Sequence, residues 1–220
     1  MEETETVEIE TGEGPAAAVI WMHGLGSDMH DFEPVVPMLS LGPQRPVRYV
    51  FPNAPFRPVT LNGGTVMRAW YDLRSLEHVD DEDEAGLRSS AALIEGLIER
   101  EAERGIDPDK IVLAGFSQGG AIALFTALRY TRTLAGVVAL SAYLPLGEVI
   151  SQELHPANAK LPIFMAHGAI DDVVPIRFSR NSRKKLHQMG YEVSWWEYPV
   201  SHTVIPEELQ QVKQFLSDVL

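Results

Sequence analysis

Gly115-Phe116-Ser117-Gln118-Gly119 sets a serine between two glycines, with an apolar run at 111–114 before it and an Ala-rich apolar run at 119–128 after it. The first run reads as a buried strand and the second as a helix, so the pentapeptide is the turn between them. This is the G-x-S-x-G pattern of a nucleophile elbow, in which a strained strand-to-helix turn lifts a serine Oγ clear of the sheet edge. A hydroxyl is a weak nucleophile at neutral pH and needs a base, which in turn needs a partner that fixes its tautomer. Both types occur downstream, each after an apolar run: His167-Gly168-Ala169-Ile170-Asp171-Asp172, then Ser201-His202. The order serine, carboxylate, histidine suits acyl transfer with Ser117 as nucleophile and His202 as base. Composition leaves open which of Asp171 and Asp172 faces the histidine.

The elements that must carry these residues are legible as apolar runs. Strands are expected at 16–22, 47–51, 111–114, 134–140, 161–166 and 191–198, alternating with helices, which predicts an α/β fold: a mostly parallel sheet with helices on both faces and no large cap. In such sheets ligands bind beyond the C-terminal ends of the strands, where the serine, the two aspartates and the histidine all fall. Val7, Ile9 and Thr11 alternate with Glu8 and Glu10, as in a charged edge strand. The run at 16–22 delivers His23-Gly24-Leu25-Gly26, a glycine-rich loop whose backbone N–H groups suit an oxyanion hole. Asp31 reads as a helix start before Phe32, Val35, Val36 and Leu39, and Asp28 as a loop carboxylate. The stretch 53–84 loses periodicity and is read as a long loop along a substrate groove, with Met67, Trp70, Tyr71 and Leu73 either lining it or pinning it to the body. An acidic run from Asp80 to Glu84 reads as a solvated face leading into a helix through Leu87, Ala91, Ile94 and Ile98 that ends at Gly105. A basic helix at 176–189 reads as a solvent face paired with nearby carboxylates, Trp195-Trp196 as core and sheet-face packing, and 206–219 as an amphipathic helix. His23 and His167 precede turn glycines and read as loop-shaping hydrogen-bonders. His30, His78, His155 and His187 lie in polar stretches.

The chain has 220 residues, 45% of them hydrophobic, which suits one domain over 1–220 with an acidic arm at 1–13. It has no cysteine, which removes disulfides, thiolate metal sites and a cysteine nucleophile. A formal charge of −13 argues against nucleic acid and against a polybasic grip on anionic membranes. Without a basic, apolar leader or a span-length apolar run, the expected location is the cytoplasm, with no stable membrane insertion.

Taken together, W-M-H-G-L-G at 21–26, F-P-N-A-P at 51–55, R-A-W-Y-D at 68–72, G-F-S-Q-G-G at 115–120, H-G-A-I-D-D-V-V-P at 167–175 and the S-H before Thr203 resemble the phospholipase/carboxylesterase family of small α/β-hydrolases, which includes bacterial carboxylesterases and acyl-protein thioesterases. The resemblance implies a triad of Ser117, Asp171 and His202, an oxyanion hole from the backbone N–H groups of Leu25 and Gln118, no cofactor, a shallow hydrophobic groove and a homodimer. Counting from His167-Gly168 to Val174-Pro175 within the family's pattern selects Asp171 over Asp172. Ser201 stands where many relatives carry glycine. The expected activity is carboxylic ester hydrolysis on a small-molecule ester. An acyl-protein thioesterase or lysophospholipase with the same triad is one alternative, and a ligand-binding protein on a hydrolase scaffold is another.

Overall fold

The computed structural model describes residues 4–75 and 82–220. The N-terminal half carries β1 (Thr6–Glu10), β2 (Ala17–Met22), α1 (Val36–Leu39), β3 (Val47–Pro52), β4 (Phe56–Val59), β5 (Thr65–Arg68) and α2 (Glu84–Glu103). Then come β6 (Ile111–Phe116), α3 (Gln118–Ala127), β7 (Gly136–Leu140), α4 (Gly147–Glu153), β8 (Ile163–Gly168), α5 (Ile176–Gln188), β9 (Val193–Tyr198) and α6 (Pro206–Val219). Seven strands form one sheet in the order β1-β3-β2-β6-β7-β8-β9, while β4 and β5 pair as a separate ribbon. Within the large sheet only β1 is antiparallel to its neighbour, setting Val7 opposite Phe51 and Ile9 opposite Tyr49.

Successive side chains of a strand point to opposite faces, and here both faces are covered, so the apolar runs feed two cores. Ala18, Ile20 and Met22 of β2 and Ile111 and Leu113 of β6 pack with Leu87, Ile94 and Ile98 of α2 and with α3. Val19, Trp21, Val112 and Ala114 point the other way, toward Val36 and Leu39 of α1 and Leu209, Val212 and Leu216 of α6. Helix α3 is buried along its whole length, which places it between the sheet and α2. At the β1 edge, Arg48 Nη1 donates to the buried Glu101 at 2.6 Å and Arg104 Nη1 donates to the same carboxylate at 2.8 Å. Arg100 and Arg104 also reach Glu8, so β1, β3 and α2 are tied by one ionic network.

Four expectations need correcting. The 53–84 stretch contains the β4-β5 ribbon, in which Pro58 is accommodated because the ribbon is no part of the main sheet. Short helical structure after Asp31 begins at Glu33, with Phe32 at the capping position. Of the acidic run, Glu82 and Asp83 are engaged: Glu82 accepts from Leu146 N at 2.6 Å, and Asp83 caps α2 by accepting from Gly86 N at 3.0 Å. Asp80, Asp81 and His78 lie outside the described residues. Trp195 packs on the core, but Trp196 is 42% exposed, because neighbours on a strand face opposite ways and β9 is the last strand of the sheet. Two of the five basic residues of α5 meet carboxylates, Arg180 pairing with Glu197 at 2.6 Å and Lys185 with Glu148 at 2.7 Å, while Arg177 and Arg183 lie over the rings of Phe178 and Trp195. Helix α4 had no counterpart in the periodicity. Among the described residues, no helix is long and apolar enough to cross a membrane.

Glu208 on α6 is 2% exposed, and burial raises its carboxyl to about 7. Between the ordinary carboxylate range and about 7, the folded chain holds a proton that the unfolded chain releases. Stability therefore falls as pH rises through that window, and the penalty is complete above it. Glu208→Gln should raise stability by up to about 3 kcal/mol near pH 8 and by almost nothing near pH 4, read from denaturant midpoints. An equal effect at both pH values would contradict the ionisation argument.

Candidate active site

The centre of the site is the junction of β6 and α3. Ser117 is forced to φ 54, ψ −121, a conformation that costs a non-glycine residue on the order of 1–3 kcal/mol and persists only where its surroundings over-determine it. They do so here by close backbone approach. A Cβ on Gly119 would stand 2.1 Å from Met22 O, and one on Gly115 would stand 2.3 Å from the Gly119 backbone. Ser117 N donates to Leu140 O at 2.8 Å and Ser117 O accepts from Ala121 N at 3.1 Å, so the turn is tied both to β7 and to its own helix.

The loop after β8 brings Asp171 under the loop after β9. His202 Nδ1 and Asp171 Oδ2 are 2.7 Å apart, and the carboxylate is fully buried. A buried charge needs compensating donors. Val173 N and Val174 N donate to Asp171 Oδ1 at 2.9 and 2.8 Å, and His167 Nε2 lies 3.3 Å from Oδ2 while bonding Val174 O at 2.8 Å. A nitrogen facing a carbonyl must carry a proton, so Nε2 is the protonated atom of His167. Burial lowers the pKa of His167 despite the carboxylate, and His202 is the ring that lines the cavity. Asp172, by contrast, is exposed. The two loops are held in register because Gly168 touches backbone: a Cβ there would sit 2.2 Å from Ser201 O.

His202 also rests on an aromatic stack. Its ring centroid is 4.6 Å from Phe116, which is 5.8 Å from Phe32, which is 5.1 Å from Trp21 of β2. Neither phenylalanine was singled out from the sequence, since their spacing fits core packing equally well.

Ser117, Gln118, His202, Gly24, Leu25 and Leu73 share a cavity of about 340 Å³. Gln118 is the first residue of α3, so its N–H has no acceptor within the helix. Among the described residues no acceptor takes the Leu25 N–H. The Gln118 side chain does something unforeseen: its Oε1 accepts from Trp70 N at 2.7 Å and its Nε2 donates to Tyr71 O at 2.8 Å, fastening the end of the β4-β5 segment to the elbow.

The four candidates from the 53–84 stretch separate. Leu73 lines the cavity, as does Tyr71. Trp70 does not; it is completely buried, because its indole N–H finds an acceptor in His23 O at 2.9 Å and the ring can enter the core without stranding a donor. Met67 is half-buried outside the cavity lining, with its sulfur beside Gly26 and accepting from Asn62 Nδ2 at 3.7 Å. His23 accepts from Ala54 N through Nε2 at 3.1 Å and meets Gly24 O through Nδ1 at 2.7 Å, so it is a neutral loop-shaping ring whose pKa burial lowers. His30 pairs with Glu33 on the surface.

Comparison with known proteins sets this geometry in a lineage. The model of the phospholipase/carboxylesterase family matches residues 4–220. The acyl-protein thioesterase 1 of Cryptococcus neoformans var. neoformans serotype D is 37% identical, over 97% of this chain and 97% of that protein. That of Neurospora crassa is 39% identical, over 93% of this chain and 87% of its own. The crystal structure of Arabidopsis thaliana SOBER1 matches with a TM-score of 0.86 at 29% identity, covering 92% of this chain and 98% of that one. With the match running from the first strand through the elbow to the last helix, the chain belongs to the phospholipase/carboxylesterase family of α/β-hydrolases.

Proposed function

We propose that the protein is a serine hydrolase that cleaves carboxylic esters through an acyl-enzyme on Ser117. The observation that carries this reading is the 2.7 Å bond between His202 Nδ1 and the buried Asp171 carboxylate, made at the rim of the cavity that Ser117 enters from its strained turn. In the proposed cycle Ser117 Oγ attacks the ester carbonyl carbon and its proton passes to His202 Nε2. Asp171 stabilises the imidazolium and holds the tautomer that leaves Nε2 free to accept. The oxyanion takes the N–H groups of Leu25 and Gln118, and the positive end of α3 adds to them. Collapse of this intermediate expels the alcohol with the proton from His202. Water then repeats the sequence on the acyl-enzyme, releasing the acid and restoring Ser117. Ester and water balance the reaction, and no cofactor enters it.

A second reading keeps the chemistry and changes the substrate to an S-acyl thioester on a protein. It is favoured by the acyl-protein thioesterase 1 relatives from Cryptococcus and Neurospora at 37% and 39% identity. Purified protein assayed in parallel on a short-chain nitrophenyl ester, an S-acylated peptide and a lysophospholipid ranks the readings by kcat/KM. Hydrolysis of none of them would favour a ligand-binding role.

A fluorophosphonate should label Ser117 stoichiometrically with loss of activity, and Ser117→Ala should abolish the labelling and cost several orders of magnitude in rate with the fold intact. Mass-spectrometric mapping of the adduct to another serine would refute the nucleophile assignment. Asp171→Asn should lower the rate by up to about ten-thousand-fold, because the wrong tautomer of His202 is then favoured. Exposed Asp172→Asn should cost less than about tenfold. The reverse ranking, with unchanged circular dichroism, would overturn the assignment of the acid.

A further inference from the structure

The cavity beside Ser117 has a neighbour. A second cavity of about 370 Å³ is walled by Leu144, Leu146, Val149 and Phe178, with Glu82, Glu148 and Lys185 among its polar lining residues. Tyr143 is the residue common to the linings of both. Its ring stands 6.5 Å from Phe178 on the side of the second cavity, and its hydroxyl lies 3.1 Å from that of Tyr71 on the Ser117 side. Tyr71 is 1% exposed and its main chain is bound by Gln118, so the phenol that holds Tyr143 is itself immobile. A side chain anchored at its tip between two hollows acts as a partition, and a partition one ring thick fixes how far an extended ligand can reach.

We propose that Tyr143, latched by Tyr71, is a specificity-determining gate: it ends the acyl site at the cavity next to Ser117, and its displacement opens the second cavity to longer alkyl chains. The proposal rests on the ester-hydrolase reading for its substrate. The apolar wall formed by Leu144, Leu146, Val149 and Phe178 suits an alkyl chain, and its position directly across Tyr143 from the Ser117 cavity makes the acyl group the occupant. Opening the gate roughly doubles the available space.

The test is an acyl-chain series of nitrophenyl esters from acetate to dodecanoate, assayed on the wild type, Tyr143→Leu, Tyr143→Ala and Tyr71→Phe, with circular dichroism to confirm folding. Tyr143→Leu and Tyr143→Ala should raise the decanoate-to-butyrate ratio of kcat/KM by at least about tenfold, the scale on which a hydrophobic pocket distinguishes chains by a methylene or more. Tyr71→Phe removes only the latch and should give a smaller rise. Calorimetric titration with decanoate reads the same opening without catalysis: the Tyr143 variants should bind it more tightly than the wild type. Turnover with an unchanged chain-length profile and unchanged decanoate binding would overturn the gate. A shift confined to esters that differ in their alcohol would overturn the assignment to the acyl group. A wild type inert toward every ester, with tighter decanoate binding in the variants, would overturn the hydrolase reading and leave the gate standing.

Discussion

The approach of α3 to the end of β2 is the contact on which the site depends. Gly119 lies so close to Met22 O and His23 O that no side-chain carbon fits between them, and this contact holds Ser117 in a conformation it would not adopt alone. The strain is offset by burial, since every residue of α3 is removed from solvent and the helix cannot slide without uncovering the core. One helix thus presents a hydroxyl, leaves its first N–H groups unspent, and through the Gln118 side chain fixes the loop that forms the cavity wall.

Charge is handled by the same economy of backbone. Asp171 is buried in the interior, and its donors are two main-chain N–H groups and the His202 imidazole; the loop conformation that aims it at His202 is the one that solvates it. His167 and His23 look alike in the sequence, each preceding a glycine at a strand end, and play matching roles. Burial lowers the pKa of each, and each uses its ring to brace a loop.

Much of the fold was legible because a strand buried on both faces must be continuously apolar, and 16–22, 47–51 and 111–114 could hardly be anything else. The elbow and its partners were legible because close approach demands glycine at 115, 119 and 168, and the fold gathers Ser117, Asp171 and His202 at one edge of the sheet. The β4-β5 ribbon was not, since its exposed face carries the apolar residues Phe56, Pro58 and Val66, so the positions that face outward do not read as polar. Trp70 could not be placed from the sequence because an indole suits a groove and a core equally, and the decision rests on an acceptor at His23, 47 positions away. The grip of Gln118 on Trp70 and Tyr71 spans a similar distance and leaves no local trace. Trp196 failed for a related reason: whether a strand is interior or last in the sheet is a property of topology that no single strand encodes.

The order of strands also sets where the site is weakest. Ser117 directly follows β6, which has neighbours on both sides, whereas the loop bearing His202 follows β9, which is paired on one side only and has no fully buried residue. Local opening draws on the elements with the least buried surface, so on the proposed assignment the base departs before the nucleophile is disturbed. Heat would then silence the molecule as a catalyst while its sheet was still folded. On that assignment, stiffening the outer strand would extend the working temperature range with the elbow left untouched.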